Sequence, residues 1–395
     1  MKPTLGIGMA ILLGIAGSSA AMDATNAFND VSVPNQPMEP GSTMGTDTVD
    51  IGIAETNSWF SWWPSNLIVA PIPGREPVFG WDLSLFAGVF LDLDKAHTNT
   101  PPSSIGVIAW IAENNSYAVG GMGNFNLFND YVRIEAAAIY MDLNYRFYGV
   151  GSDAGNQDIY LDANQQMPAY YANAKYQIFP NGYLGLGYMG AVAEVTYSTD
   201  SPLVPPGILP ISDTFTLSGV EVPFQYDTRD NQQYPRNGWL VDASGIFFTD
   251  ALGSDVSSEL YSVAVNRYLP MRDRDVIAMR AFTQATSSGT PVFLYSSIGG
   301  RQDMRGYAYG RYTDRMAYTL QAEYRWQLLD SWILTGFGGV AEVAPNYGSF
   351  FNDILPAAGA GVRYFLSKEY NVTLAFDVAV GRNGTEYYFS LGEAF

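Results

Sequence analysis

The chain contains no cysteine, which excludes thiol chemistry and a disulfide framework and is compatible with an oxidising compartment. Histidine is nearly absent too. A barrel lipase or protease needs a general base, usually His, and the single His97, close to Lys95 and Thr98 with no Gly-x-Ser-x-Gly elbow, reads as a solvated loop residue. No enzyme is therefore expected. Cations are scarce: 20 Lys and Arg stand against 39 Asp and Glu, and a net charge of −19 argues against a nucleic-acid partner, which needs clustered basic residues. No Asp-x-Asp-x-Asp-Gly spacing offers a calcium loop, so neither a metal nor a cofactor is expected. Beyond the first twenty or so residues no apolar run approaches the roughly 18 residues of a membrane-spanning helix.

What is present is alternation. In the segment from Ala317 to Leu328, Tyr318, Leu320, Ala322, Tyr324, Trp326 and Leu328 share one face, and Thr319, Gln321, Glu323, Arg325 and Gln327 share the other. A strand with an apolar, aromatic face backed by ionisable groups suits a closed barrel, lipid outside and water or a polar plug inside. The 27 Tyr, 22 Phe, 8 Trp and 40 Gly fit the same class. Residues 1–21 read as a secretory signal: Lys2, an apolar run from Leu5 to Gly17, then Ser18, Ser19, Ala20 and Ala21. Together these place the protein in the outer membrane of a Gram-negative bacterium, in contact with its lipids.

Residues 22–77 differ in composition. Their first part, to about Asn57, is too polar to bury a core. The cluster Trp59-Phe60-Ser61-Trp62-Trp63-Pro64 follows, and Trp59, Trp62 and Trp63 suit a membrane interface on the periplasmic side. A plug entering the lumen is the competing reading. From Val78 to Phe395 the pattern divides into sixteen segments beginning near 78, 104, 116, 131, 157, 168, 182, 212, 237, 256, 275, 315, 331, 355, 370 and 385. The expected fold is all-β, a 16-stranded antiparallel transmembrane β-barrel over residues 78–395. Tight connections at Glu113–Asn115, Phe179–Asn181, Leu329–Ser331 and Ser367–Glu369 are assigned to the periplasm, and longer ones, including Asp94–Ser103 and Ser288–Asp314, to the outside. Both termini are then periplasmic.

Three motifs make residues 70 to 395 resemble the Omp85 superfamily of sixteen-stranded outer-membrane barrels. The first is Met304-Arg305-Gly306-Tyr307, which matches the signature of the family's sixth extracellular loop. The second runs Tyr226-Asp227-Thr228-Arg229-Asp230-Asn231, then Tyr234-Pro235 and Gly238, similar to the turn before the family's ninth strand. The third is the end, Tyr387-Tyr388-Phe389-Ser390-Leu391-Gly392-Glu393-Ala394-Phe395.

The resemblance implies insertion or translocation of proteins, with loop 6 folded into the lumen and a weak, sideways-opening seam between the first and last strands. Arg305 would need a counter-charge there, and inward Glu323 is the natural one. The family's inward Asp on strand 13 is missing, since that stretch reads Phe337-Gly338-Gly339-Val340-Ala341. Tyr387, Phe389, Leu391 and Phe395 read as one face, the terminal aromatic resembling an insertion signal. Gly392 fits either a weakened seam or a bulge. Residues 22–77 are too few for a POTRA domain, so capture of unfolded outer-membrane protein clients would use the barrel, the tryptophan segment or a separate periplasmic partner. A passive pore gated by loop 6, and a lipid-handling or homodimeric barrel, remain alternatives.

Overall fold

The computed structural model describes residues 67–91, 93, 100, 103–199, 210–272, 274–368 and 371–395. The signal segment, Trp59, Trp62, Trp63 and His97 lie outside them. Eighteen strands are described: β1 Leu67–Glu76, β2 Gly80–Leu91, β3 Ser103–Ala112, β4 Tyr117–Leu127, β5 Val132–Phe147, β6 Leu161–Phe179, β7 Gly182–Ser198, β8 Ile211–Asp227, β9 Gly238–Phe248, β10 Ser258–Pro270, β11 Val276–Thr286, β12 Ser296–Ile298, β13 Tyr312–Asp314, β14 Met316–Gln327, β15 Trp332–Ala344, β16 Leu355–Ser367, β17 Val372–Gly381 and β18 Gly384–Leu391. Sixteen of them close into one antiparallel barrel, and β12 and β13 form a small hairpin inside the connection 287–315.

β14 illustrates why this chain becomes a wall. Ala317, Thr319, Gln321, Glu323 and Arg325 are buried, while Leu320, Tyr324 and Trp326 are exposed, so every second residue faces inward and the lipid-facing set is apolar. Outward aromatics pair across strands near both ends, as in Tyr170–Tyr188 and Trp332–Tyr364, where a ring with a polar edge suits the membrane boundary.

Two strand assignments need correction. β1 belongs to the barrel, which therefore starts at Leu67 and not at Val78. Its Pro71, Pro73 and Gly74 disguise it, because proline and glycine argue against a central strand. The segments begun at 157 and 168 are one strand, β6. The two errors offset, so the count of sixteen stands while the early connections change ends. Glu113–Asn115 lies at the end that carries 287–315, here the loop end, and Leu91 and Ser103, the strand ends that flank 92–102, lie at the opposite, turn end. The chain enters β1 at Leu67 and leaves β18 at Leu391, both strands having these ends toward the turn end.

The interior is not polar throughout. Toward the loop end, Met141, Leu143, Met167, Met189, Val195 and Phe248 face inward and enclose Phe293 and Leu294 of the long connection. At the same height the outer face carries Asp142, Asn144 and Asn164, with Asn164 Nδ2 donating to Asp142 Oδ1 at 2.6 Å. Polarity thus inverts along the longest strands: toward the loop end the apolar core lies within and polar side chains lie outside.

A buried charge network beside the seam

Arg305 is the centre of the candidate site. Gly300 N–H donates to Tyr307 O at 2.9 Å and closes the tip of the connection into a compact turn, with Met304 buried among Ile298, Ala317 and Val343. Gly306 has φ 102° and donates its N–H to Tyr388 Oη at 2.9 Å. A Cβ there would stand 2.9 Å from that of Ala357, so conformation and space both require glycine. Tyr307 donates to Pro356 O at 2.7 Å and accepts from Arg382 N–H at 3.1 Å. These contacts fix the backbone on either side of one arginine.

Its guanidinium meets two acids. Arg305 Nη1 donates to Asp377 Oδ2 at 2.9 Å, and Nη2 lies 2.7 Å from Glu323 Oε2. The second contact is close but off the hydrogen-bonding angle, so Asp377 is the better-aligned partner. Below them the ring of Phe337 lies 3.4 Å from Arg305 Cζ, a cation–π contact. The stretch without the family's strand-13 acid thus supplies an aromatic face, and the acid comes from β17.

The network continues along the wall. Arg363 of β16 reaches Asp377 at 2.6 Å, Glu393 at 3.1 Å and Glu323 at 3.6 Å, while Arg325 of β14 contacts Glu323 at 2.8 Å. Three arginines and three acids balance, a condition for burying such charge. Small residues make the room: a Cβ on Gly361 would fall 1.8 Å from Asp377 Oδ1, and one on Gly359 would fall 2.5 Å from Phe337 Cζ.

The chain's last residues join this network instead of the lipid face. After β18 the backbone turns inward at Gly392, φ 78°, and Glu393, Ala394 and Phe395 are buried. Glu393 accepts from Thr373 Oγ1 at 2.8 Å, Arg301 Nη2 donates to the carbonyls of Gly392 and Glu393, and Arg325 Nη2 donates to Phe395 O at 2.8 Å. Phe395 packs with Tyr268, Val276 and Ala278. It therefore leaves the face shared by Tyr387, Phe389 and Leu391, and Gly392 serves neither as a strand glycine nor as a bulge but as the bend.

The second motif builds the turn under the network. Arg229 forks onto Asp227 at 3.0 and 2.8 Å, and Asn231 Oδ1 accepts the N–H groups of Gln233 and Tyr234. Gly238, φ 112°, passes so near Thr228 O that a Cβ would sit 2.2 Å from it. Tyr234 is thereby held against Phe365, its ring 5.6 Å from Arg325 Cζ.

The alternation of β14 put Glu323 and Arg325 on one face in the sequence, but which inward residues of other strands share their height was not readable. Arg363, the hub, was missed, although a lone arginine between Val362 and Tyr364 in an apolar strand was its signal. Among the described residues no group of three His, Cys, Asp or Glu is arranged to hold a metal.

Known structures place the architecture. A BamA from Haemophilus ducreyi lacking POTRA domains 1–3 superposes with a TM-score of 0.59 at 14% identity, over 83% of this chain and 70% of that one. CdiB from Escherichia coli gives 0.58 at 11%, over 82% and 62%, and CdiB from Acinetobacter baumannii 0.55 at 12%, over 83% and 59%. The chain thus spans less than two thirds of either CdiB. No curated protein matches its sequence. The Omp85 superfamily domain model matches residues 112–382, and with the barrel and motifs above this chain belongs to the Omp85 superfamily.

Proposed function

We propose that this chain inserts or translocates proteins at the outer membrane of a Gram-negative bacterium, working beside the junction of β1 and β18 with the connection 287–315 stopping the lumen. One observation carries the reading: the buried Arg305 ties that connection to wall strands and, through Arg363 and Glu393, to the inward tail next to a seam of one register pair, Arg75↔Phe389. A stop joined to the seam by shared charges couples occlusion to the state of the wall. Outer-membrane lipid is the surrounding partner, and unfolded outer-membrane proteins are the proposed clients. A periplasmic partner that delivers them, and pairing with a second copy, are compatible with this role. The passive pore is the rival reading.

Reconstitution in lipid vesicles separates the two. Vesicles containing the native protein should accelerate folding of an added urea-unfolded outer-membrane barrel, by about tenfold or more over empty vesicles if about 1.4 kcal/mol of the insertion barrier is removed. Planar-bilayer recordings of the same protein should show little steady conductance. Large steady conductance without acceleration would establish the pore instead.

A further inference from the structure

Cations are nearly absent from the outward faces of the wall strands. Among the described residues these faces carry only Arg75, Arg146 and Arg267, and the first two lie toward the loop end. Arg267 is alone in the turn-end half. Its neighbours along β10, Asn266 and Tyr268, are buried, and its partners across the wall are Trp239 of β9 and Met279 of β11, so the side chain leaves the barrel toward lipid.

A guanidinium facing lipid is costly at the middle of the bilayer and tolerated where it reaches a headgroup. Arg267 sits at that level. Trp239, 43% exposed, is the second residue of β9 and with Trp326 of β14 belongs to the aromatic rim of the turn end. The side chain is pinned as well: Nη1 donates to Gly238 O at 2.8 Å and to Asn237 Oδ1 at 3.4 Å, and Cζ lies 5.0 Å from the centre of the Trp239 ring. Held by one nitrogen, it presents the other two. Nε and Nη2 have no acceptor among the described residues, and together they form the edge of a guanidinium that takes two oxygens of a phosphate.

The described acids of this rim are already engaged. Asp330 pairs with Arg274 at 2.5 Å, Asp275 accepts from Tyr324 Oη and Gln327 N–H, and Asp230 accepts from the N–H groups of Arg236 and Asn237. The ammonium of a zwitterionic headgroup would find no unengaged carboxylate among them, whereas Arg272, exposed in the turn that follows β10, adds a second positive charge. We propose that Arg267, braced by Trp239 and Gly238, holds the phosphate of an anionic phospholipid in the leaflet at the turn end. The site belongs to the outer face of β9 and β10 alone, so it stands or falls separately from what the barrel carries.

Tryptophan quenching in vesicles tests it. The full chain is reconstituted in phosphatidylcholine vesicles containing a small fraction of either brominated phosphatidylglycerol or brominated phosphatidylethanolamine, and the Trp239 signal is taken as the difference from Trp239→Phe. The glycerol lipid should quench that signal about fivefold more than the ethanolamine lipid at equal fraction, the enrichment that one arginine near a charged headgroup gives. In Arg267→Gln the preference should vanish, and in Arg272→Gln it should persist. If Arg267→Gln does not fold, Arg267→Met, which suits a lipid-facing position, takes its place with the same expected result. Equal quenching by the two lipids in the native protein, a preference that survives the loss of Arg267, or one lost just as fully in Arg272→Gln overturns the proposal.

Discussion

Arg305→Ala is expected to free the tip of the 287–315 connection while leaving the barrel folded. The acids it abandons keep partners, Glu323 with Arg325 at 2.8 Å and Asp377 with Arg363 at 2.6 Å, so neither becomes an isolated buried charge. The loss should be about 3 kcal/mol, small beside a closed hydrogen-bonded ladder. Phe293 and Leu294 stay clamped in the apolar half of the interior, so release begins after them. Trypsin should then cut after Arg301 and Arg311, both engaged in the native protein, Arg311 by Gly155 O at 3.0 Å. Steady conductance in planar bilayers should rise with it. A variant as trypsin-resistant and as silent as the native protein would show that Tyr307, Gly306 and the apolar clamp hold the connection without the arginine.

Arg363→Ala should cost more. This one side chain serves Asp377, Glu393 and, at 3.6 Å, Glu323, one acid more than Arg305 serves, and Asp377 and Glu393 each lose their shortest ion pair with it. Breaking a buried charge arrangement on one side is worth roughly 3–5 kcal/mol, and the upper part of that range applies because the site is fully enclosed. Glu393 loses one of its two close cationic contacts, so the tail from Gly392 onward should come loose. The checks are the unfolding midpoint on heat-modifiability gels, expected below that of Arg305→Ala, and new digestion of Phe395 by carboxypeptidase. An unchanged midpoint would mean that water reaches the network and screens it.

How far these residues could be read from the sequence depended on geometry. Period-two alternation is local, so the faces of β14 were legible, and with them Glu323 as a counter-charge for Arg305. The second partner, Asp377, stands on β17, three barrel strands from β14. Whether two inward residues on separated strands share a height is set by the tilt and stagger of the whole wall, which no local pattern encodes. β1 was hidden by Pro71, Pro73 and Gly74. β6 was split because Gln165-Gln166 and Tyr170-Tyr171 repeat one residue type on both faces, and Pro168 falls between them. The inward tail was illegible because Phe395 continues the spacing of an outward aromatic row. Only the bend at Gly392 and the waiting arginines reverse it.

The central claim is that one loop arginine is shared by two acids on different strands, either of which can retain it. Limited trypsin digestion of Glu323→Ala, Asp377→Ala and the double variant, with cleavage after Arg311 quantified in lipid, tests this most directly. The account predicts near-native protection in Glu323→Ala, a modest loss in Asp377→Ala, whose contact is better aligned, and cleavage in the double variant as fast as in Arg305→Ala. Full release by either single substitution, or native protection in the double variant, would contradict it.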